Sequence, residues 1–166
     1  MNKETLKRIW YTFRLYTITS SGKRADFLKK HGVFGSIGEN CTIVERKVPL
    51  HSEMISLGNN VHVASKVLFI THDAIHLCLN NYEKSITGKR GSFKEQVGRI
   101  SVGDNVFIGS NCSILYNVKI GNNVIVGAGT LVNKDIPDNS VAVGVPVRVI
   151  GSFDDFVKKR REINIS

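Results

Sequence analysis

Residues 102–137 decide the fold, and divided into sixes they read VGDNVF IGSNCS ILYNVK IGNNVI VGAGTL VNKDIP. An aliphatic residue opens each six, at Val102, Ile108, Ile114, Ile120, Val126 and Val132. If roughly a quarter of residues are aliphatic, six such matches in register arise by chance about once in four thousand tries. A small or β-branched residue holds each fifth position, at Val106, Cys112, Val118, Val124, Thr130 and Ile136.

A strict period of six fits neither the 3.6-residue period of a helix nor the two-residue alternation of a simple strand. It suits a coil with three short flat faces, each of which places one aliphatic residue inward and turns at its end. Glycine holds the second position in four of the six repeats, as a tight corner requires. Such repeats predict a solenoid in which stacked coils bury one continuous core.

The repeats resemble a known family when they are taken with two further motifs, THD at 71–73 and VAVGVPVRVIG at 141–151. The chain is similar to the left-handed β-helix acyltransferases over roughly residues 33–151. Within them it most resembles the galactoside, maltose and capsular-polysaccharide O-acetyltransferases. The resemblance implies an all-β fold, a left-handed parallel β-helix with three hexads per coil. It also implies acetyl-CoA as co-substrate and a homotrimer with active sites in the clefts between subunits.

The expected domain organisation has three parts. Residues 1–32 form an N-terminal helical segment, residues 33–151 form the acyltransferase domain with a long loop inserted at 73–99, and residues 152–166 form a C-terminal helix. The register is broken at 46–54, since Ile37 and Leu57 lie twenty residues apart rather than eighteen. The first helix carries apolar residues at helical spacing with Lys and Arg between them. Packing on the first coil or on a neighbouring subunit is favoured for it, and lying on a membrane is the less favoured alternative.

Charge and cysteine content narrow the classes of partner. The formal net charge is +9, which favours an acidic partner. The basic residues are scattered and no nucleic-acid motif is present, so we expect the phosphates of coenzyme A, rather than nucleic acid, to account for part of this charge. The three cysteines are odd in number and lack metal-ligand spacing. With no signal-peptide pattern at the start, we expect a cytoplasmic protein without disulfides or a metal site.

His72 is the expected catalytic residue, because it lies where a regular face meets the inserted loop. In the family that the chain resembles, a His in this place takes the proton from the acceptor hydroxyl, and a neutral imidazole suits this task near pH 7. Asp73, His76 and Glu53 are expected to contact the sugar. His76 is also the main competitor for the role of base, and His51 is a weaker candidate for sugar contact.

The resemblance also assigns a cofactor site to six positions, namely Phe107, Ser110, Ala128, Asn133, Lys134 and Arg148. Phe107 stands where the sugar acetyltransferases often have Trp beside the pantetheine arm. Ser110 and Ala128 are eighteen residues apart, one full coil, and therefore stack on one face. Asn133 replaces the family's Thr near the adenine, which puts that contact in question. Arg148 matches a basic residue that meets the nucleotide phosphates.

Other functions compete with sugar O-acetylation. The same His base would serve an amino-sugar N-acetyltransferase or an antibiotic-modifying acetyltransferase. A zinc hydratase of the γ-carbonic anhydrase type would need a ligand His two coils before His72, where this chain has Ser36. A purely structural coil would not need the THD motif and a 27-residue insertion.

Overall fold

The N-terminal segment forms two helices that cover one end of the solenoid. The structure is a computed structural model that describes residues 3–163, so residues 1 and 2 of the predicted helical segment lie outside the described residues. Helix α1 spans Lys3–Thr17 and helix α2 spans Ser21–Lys30. The Ser20 hydroxyl accepts a hydrogen bond from the amide of Lys23 and so caps the start of α2. Both predicted helices are therefore present.

Short strands arranged in three sheets build the solenoid. Sheet A contains β1 (Ser36–Ile37), β3 (Ile55–Leu57), β6 (Ile100–Val102) and β9 (Val118–Ile120). Sheet B contains β2 (Thr42–Ile43), β4 (Val61–Val63), β7 (Val106–Ile108), β10 (Val124–Val126), β12 (Ser140–Val143) and β13 (Arg148–Ser152). Sheet C contains β5 (Leu68–Ile70), β8 (Ser113–Leu115) and β11 (Leu131–Val132). The chain visits sheets A, B and C in turn, so each round of the chain is a three-sided coil.

The pairing register shows where the coils deviate from eighteen residues. Val106 pairs with Val124, one regular coil apart, whereas Ile37 pairs with Leu57 at the predicted distance of twenty. Val61 pairs with Val106, forty-five residues away, which is one coil plus the 27-residue insertion. The last coil is shorter, since Val124 pairs with Ser140 at sixteen residues. All these pairs are parallel, whereas β12 and β13 pair antiparallel and an antiparallel bridge joins His72 to Val97.

The core is the one that the repeats predict. Every first and fifth position of the six repeats is buried, from Val102 to Ile136. Burial of apolar side chains contributes roughly 25 cal/mol per Å² removed from water, so this continuous column is the main source of stability. Cys41 and Cys112 are buried within it, and burial raises the pKa of both thiols.

The corners of the coils use asparagine and glycine. Asn60, Asn105 and Asn123 all have positive φ, and Asn side chains tolerate this left-handed geometry. Their amides form a ladder, in which Asn60 Nδ2 donates to Asn105 Oδ1 and Asn105 Nδ2 donates to Asn123 Oδ1, both at 2.9 Å. At Gly109 the neighbouring coil is so close that a Cβ would lie 2.6 Å from the amide nitrogen of Ala128.

One expectation about the chain path was wrong. Residues 73–99 are not a plain loop, because helix α3 spans Ile75–Thr87 and ends at Gly88, whose φ is +75°. Cys78 lies on this helix, where it is exposed. After Pro137 the chain stays in the coils, since β12 continues sheet B before a turn leads into β13.

Both ends of the solenoid are covered by other elements. At the first coil the guanidinium of Arg24 is buried and donates to the carbonyl oxygens of Ile43 and Ile18, at 2.8 and 2.7 Å. At the last coil, β13 adds an antiparallel edge and α4 (Phe153–Ile163) follows it. The predicted C-terminal helix is present, with residues 164–166 outside the described part. Within residues 3–163, no helix combines the length and the apolar character needed to cross a bilayer.

Candidate active site

His72 stands directly after sheet C on a backbone that is held from two sides. The Thr71 hydroxyl is buried and donates a 2.6 Å hydrogen bond to the carbonyl of Leu50 in the preceding coil. On the other side, Gly98 donates to the carbonyl of Thr71, and Asp73 donates to the carbonyl of Gln96. These bonds close the base of the 27-residue insertion, so the position of His72 is set by the solenoid rather than by the inserted helix.

The imidazole of His72 contacts another aromatic ring, and its Nδ1 has no hydrogen-bond partner in the described chain. Its ring centroid lies 5.4 Å from that of His51, with the rings nearly perpendicular. Among residues 3–163, no group forms a hydrogen bond with the buried Nδ1 of His72, and the same holds for Nδ1 of His76. Buried polar atoms are nearly always hydrogen-bonded in native proteins, so these two nitrogens are suited to a ligand, a water or another subunit.

Asp73 is fixed between the solenoid and α3. Tyr116, on the next coil, donates a 2.7 Å hydrogen bond from its hydroxyl to Asp73 Oδ2. The other carboxylate oxygen accepts from the amide of Ile75 at 3.1 Å, at the start of α3. The hydrogen bond from Tyr116, with smaller contributions from the Ile75 amide and His76, lowers the pKa of Asp73. The same hydrogen bond raises the pKa of Tyr116. Asp73 is therefore a carboxylate at neutral pH and is oriented by its neighbours.

A cavity of about 560 Å³ opens between α1 and the irregular segment 48–53, and we call it the α1 cavity. Its polar lining comes from Glu4, Lys7, Arg8, Tyr11, His51 and Glu53, among others. His51 Nδ1 is 3.5 Å from Glu53 Oε1, and the ring of His51 faces that of His72. The cavity thus reaches the neighbourhood of His72 with both acidic and basic groups in its wall. The sequence contains no signal that α1 would line it.

The positions predicted for the pantetheine arm lie at the corner between sheets B and C. Phe107 projects from the outer face of β7, where it is half exposed. Ser110 and Ala128 are stacked on successive coils, since the amide of Gly129 donates to the carbonyl of Ser110 at 2.8 Å. The amide of Ala128 donates to no group within residues 3–163. The predicted stacking of these positions is present, with a free donor beside them.

The positions predicted for the nucleotide are exposed near the last coil. Asn133 and Lys134 follow β11, and Arg148 opens β13, paired with Val143. Neither cation forms an ion pair with any residue of the described chain. Both are available to an anionic ligand.

The two groups of predicted site residues do not meet within one chain. His72 and Asp73 follow sheet C, whereas Ser110 and Ala128 precede it. The length of a sheet C strand, such as β8 (Ser113–Leu115), and the turns at its two ends separate them. His72, Asp73, His76, His51 and Glu53 form one cluster, and the cofactor positions form another.

A solenoid of six-residue repeats with this histidine cluster defines a class of transferase. The family model described as bacterial transferase hexapeptide (six repeats) matches residues 99–134. A putative acetyltransferase of Staphylococcus aureus (strain COL), SACOL2570, is 32% identical over 151 residues, which cover 82% of this chain and 73% of that protein. The chain belongs to the hexapeptide-repeat acetyltransferase family.

Two further comparisons concern the galactoside branch of this family. The galactoside O-acetyltransferase of Escherichia coli (strain K12) is 41% identical over 102 residues, covering 61% of this chain and 45% of that protein. The chain thus spans about half the length of that relative. A solved structure of galactoside acetyltransferase in complex with coenzyme A shares 26% identity, with a TM-score of 0.57 over 95% of this chain and 86% of the other.

Proposed function

We propose that this protein is an acetyl-CoA-dependent O-acetyltransferase that moves an acetyl group to a sugar hydroxyl in the cytoplasm. We further propose that the coils form a left-handed parallel β-helix, which is the handedness that the family implies. The observation that carries the proposal is the His72 imidazole, which is held at the end of a solenoid face with a buried nitrogen that no described residue satisfies. Resemblance to a galactoside acetyltransferase solved with coenzyme A supplies the co-substrate.

In the proposed mechanism, His72 takes the proton of the acceptor hydroxyl as the oxygen attacks the thioester carbonyl. The tetrahedral intermediate collapses when the carbon–sulfur bond breaks, and the imidazolium returns the proton to the departing sulfur of CoA. A backbone amide near Ser110 stabilises the oxyanion. No cysteine or serine is required as a nucleophile, so the acetyl group passes directly from CoA to the acceptor.

The cofactor positions suit the parts of coenzyme A in order along the solenoid. The unbonded amide at the Ser110–Ala128 corner is a donor for the carbonyls of the pantetheine arm, and Phe107 forms an apolar wall beside it. Lys134 and Arg148, which lack ion-pair partners in the described chain, meet the nucleotide phosphates near the last coil. Asn133 is placed near the adenine.

The separation of the two residue groups supports the proposed homotrimer. The proposed base follows the strands of sheet C and the pantetheine corner precedes them, so the two lie at opposite ends of these strands. A substrate that touches both is therefore best placed between two copies of the chain. His72 of one copy would then face Ser110 and Ala128 of the next, and cyclic symmetry would repeat this contact three times.

The α1 cavity is the best place for the acceptor, because its wall includes His51, whose ring lies 5.4 Å from that of His72, and carries hydrogen-bonding groups of both signs. Carboxylates such as Glu53 and Asp73 accept well from sugar hydroxyls. His76 on α3, whose Nδ1 is unmatched in the described chain, is a further candidate for contact with the acceptor. A sugar, sugar nucleotide or unit of a surface polysaccharide fits this lining.

An acceptor screen with release of CoA thiol as the readout tests the proposal. Purified protein should release thiol from acetyl-CoA with neutral sugars or sugar nucleotides as acceptors, and the products should be base-labile esters. Faster turnover with amino sugars and base-stable amide products would instead establish an N-acetyltransferase. No thiol release with either group of acceptors, by a protein that sediments at three times its chain mass, would refute the proposed activity.

A further inference from the structure

Helix α1 has three distinct faces along its length. One face packs on the body of the protein through the fully buried Leu15, which belongs to the same core as Leu28 and Ile43. A second face carries Lys3, Lys7 and Arg14, which lie within about 40° of one another at 100° per residue. Around the helix axis, the basic face lies between the face of Leu15 and the third face. Packing on the first coil therefore accounts for only one side of this helix.

The third face is apolar and uncovered in the described chain, and we call it the α1 stripe. It consists of Leu6, Ile9, Phe13 and Tyr16, whose side chains are 49%, 52%, 65% and 64% exposed. Their spacing of three or four residues places them in one row over four turns. Trp10, itself half exposed, lies between this row and the basic face. A continuous exposed apolar row beside a row of cations marks an interaction surface rather than a solvated one.

We propose that the α1 stripe docks this protein on an anionic lipid membrane surface. The pattern of aromatic and aliphatic side chains on one face, with Lys and Arg on the adjoining face, is that of a helix lying in the plane of the membrane interface. The net charge of +9 complements anionic headgroups. In a cyclic trimer a neighbouring copy would meet the stripe with a different surface of the chain, and this occupant is separated from the membrane by the test below.

The consequence for the acceptor rests on the proposed function. Glu4, Arg8 and Tyr11 line the α1 cavity, and they lie on the side of α1 that faces away from the α1 stripe at 100° per residue. A membrane on the stripe is therefore separated from the cavity by the width of one helix, about 10–12 Å. The acceptor class that fits this arrangement is a sugar carried on a lipid and extended far enough from the membrane surface to span that distance. In a cyclic trimer the three α1 helices would lie at one end of the assembly and bind together.

Vesicle flotation with the full chain tests the docking without depending on activity. The protein should float with vesicles of phosphatidylcholine and phosphatidylglycerol, and much less with phosphatidylcholine alone. Leu6→Gln/Phe13→Gln should weaken binding by roughly tenfold or more, since both side chains would leave the lipid. Lys3→Gln/Arg14→Gln should weaken it by about fivefold per charge. Ile150→Gln, at a side chain equally exposed (64%) on β13, is the matched control and should bind like the wild type.

Light scattering of the same protein samples decides whether a membrane or a second copy of the chain covers the α1 stripe. The Leu6→Gln/Phe13→Gln variant should keep the oligomeric mass of the wild type. If it falls to a smaller species, the stripe is a contact between copies and the membrane proposal is wrong. Absence of wild-type flotation, or equal loss in the Ile150→Gln control, would also overturn it. Thiol release with a water-soluble acceptor, measured alongside, separates failure of docking from failure of the proposed acetyl transfer.

Discussion

Tyr116 donates a 2.7 Å hydrogen bond from its hydroxyl to Asp73 Oδ2 and so joins a regular coil to the residue that follows His72. This bond crosses from one coil to the next and fixes the carboxylate at the start of α3. It is also the main reason that the pKa of Asp73 is lowered. The contact makes Tyr116 a positioning residue for the base and for the inserted helix.

Tyr116→Phe should raise the pKa of Asp73 towards its ordinary value of about 3.9. In the folded wild type this pKa lies below the unfolded value, so the bond stabilises the fold above the unfolded pKa, and this stabilisation is lost as pH falls through the folded pKa. The stability difference between wild type and variant should therefore shrink on acidification. Carboxyl NMR titration and denaturant unfolding at neutral and acidic pH measure both effects. Tyr82→Phe, at an exposed tyrosine of α3, should change neither.

His72→Asn should lower turnover by about 10²–10⁴-fold, the usual contribution of a general base, while acetyl-CoA affinity stays nearly unchanged. His76→Ala should cost less, mainly in the KM for the acceptor. Steady-state kinetics and calorimetric titration of acetyl-CoA separate these effects. If His76 proved essential and His72 dispensable, the base would belong to α3. If His72→Asn also dissolved the oligomer, its role would be structural.

Arg148→Ala should weaken binding of acetyl-CoA more than binding of dephospho-CoA. A charge-assisted contact contributes roughly 1.5–3 kcal/mol, so the loss for acetyl-CoA should be about ten- to a hundredfold. Lys30→Ala removes one exposed positive charge at the other end of the solenoid and serves as the control. Equal losses for the two ligands would show that Arg148 does not contact the 3′-phosphate.

Gly109→Ala should disturb the Ser110–Ala128 corner, because its Cβ would lie 2.6 Å from the amide nitrogen of Ala128 on the next coil. We expect a loss of about 1–3 kcal/mol in unfolding free energy, as for other overpacked sites, together with weaker acetyl-CoA binding. Gly151→Ala is the matched control, since no heavy atom lies within 4 Å of the added methyl group. Unchanged acetyl-CoA affinity in a destabilised Gly109→Ala protein would argue against cofactor binding at this corner.

Asn105→Ala and Asn105→Gly should separate the two roles of the asparagine ladder. Both variants lose the hydrogen bonds to Asn60 and Asn123, worth about 1–2 kcal/mol together. Alanine must in addition adopt the positive φ of 57°, so it should be less stable than glycine by about 1 kcal/mol. Equilibrium unfolding of the three proteins measures the difference. Equal stability of the two variants would show that backbone strain does not matter at this corner.

The sequence was sufficient for the coils because their packing is local and periodic. Each aliphatic residue from Val102 to Val132 meets its equivalent one coil away, so the repeat alone predicts both the core and the register. The same reasoning predicted the twenty-residue spacing of Ile37 and Leu57 and the stacking of Ser110 on Ala128. The first N-terminal helix followed from the helical spacing of its apolar residues.

The rest of the site depends on contacts that no period encodes. Tyr116 occupies an ordinary outward position of the repeat ILYNVK, and only the fold brings it to Asp73. Helix α3 was not predicted, although Leu79, Tyr82 and Ile86 have helical spacing, because the insertion lacks the period of six that defines the coils. His51 lies against His72 although its segment is out of register with the hexads. Helix α1 closes the cavity with residues at least 40 positions before His51.

The insertion after His72 leaves no trace in the coils around it. Val61 pairs with Val106 across forty-five residues in the same way as Val106 pairs with Val124 across eighteen. The hydrogen bonds of Thr71 and Gly98 close the chain before the inserted segment can affect the next coil. Evolution can therefore exchange the inserted helix, and with it the proposed contacts to the acceptor, while the folding of the scaffold and the proposed acetyl-CoA positions stay as they are.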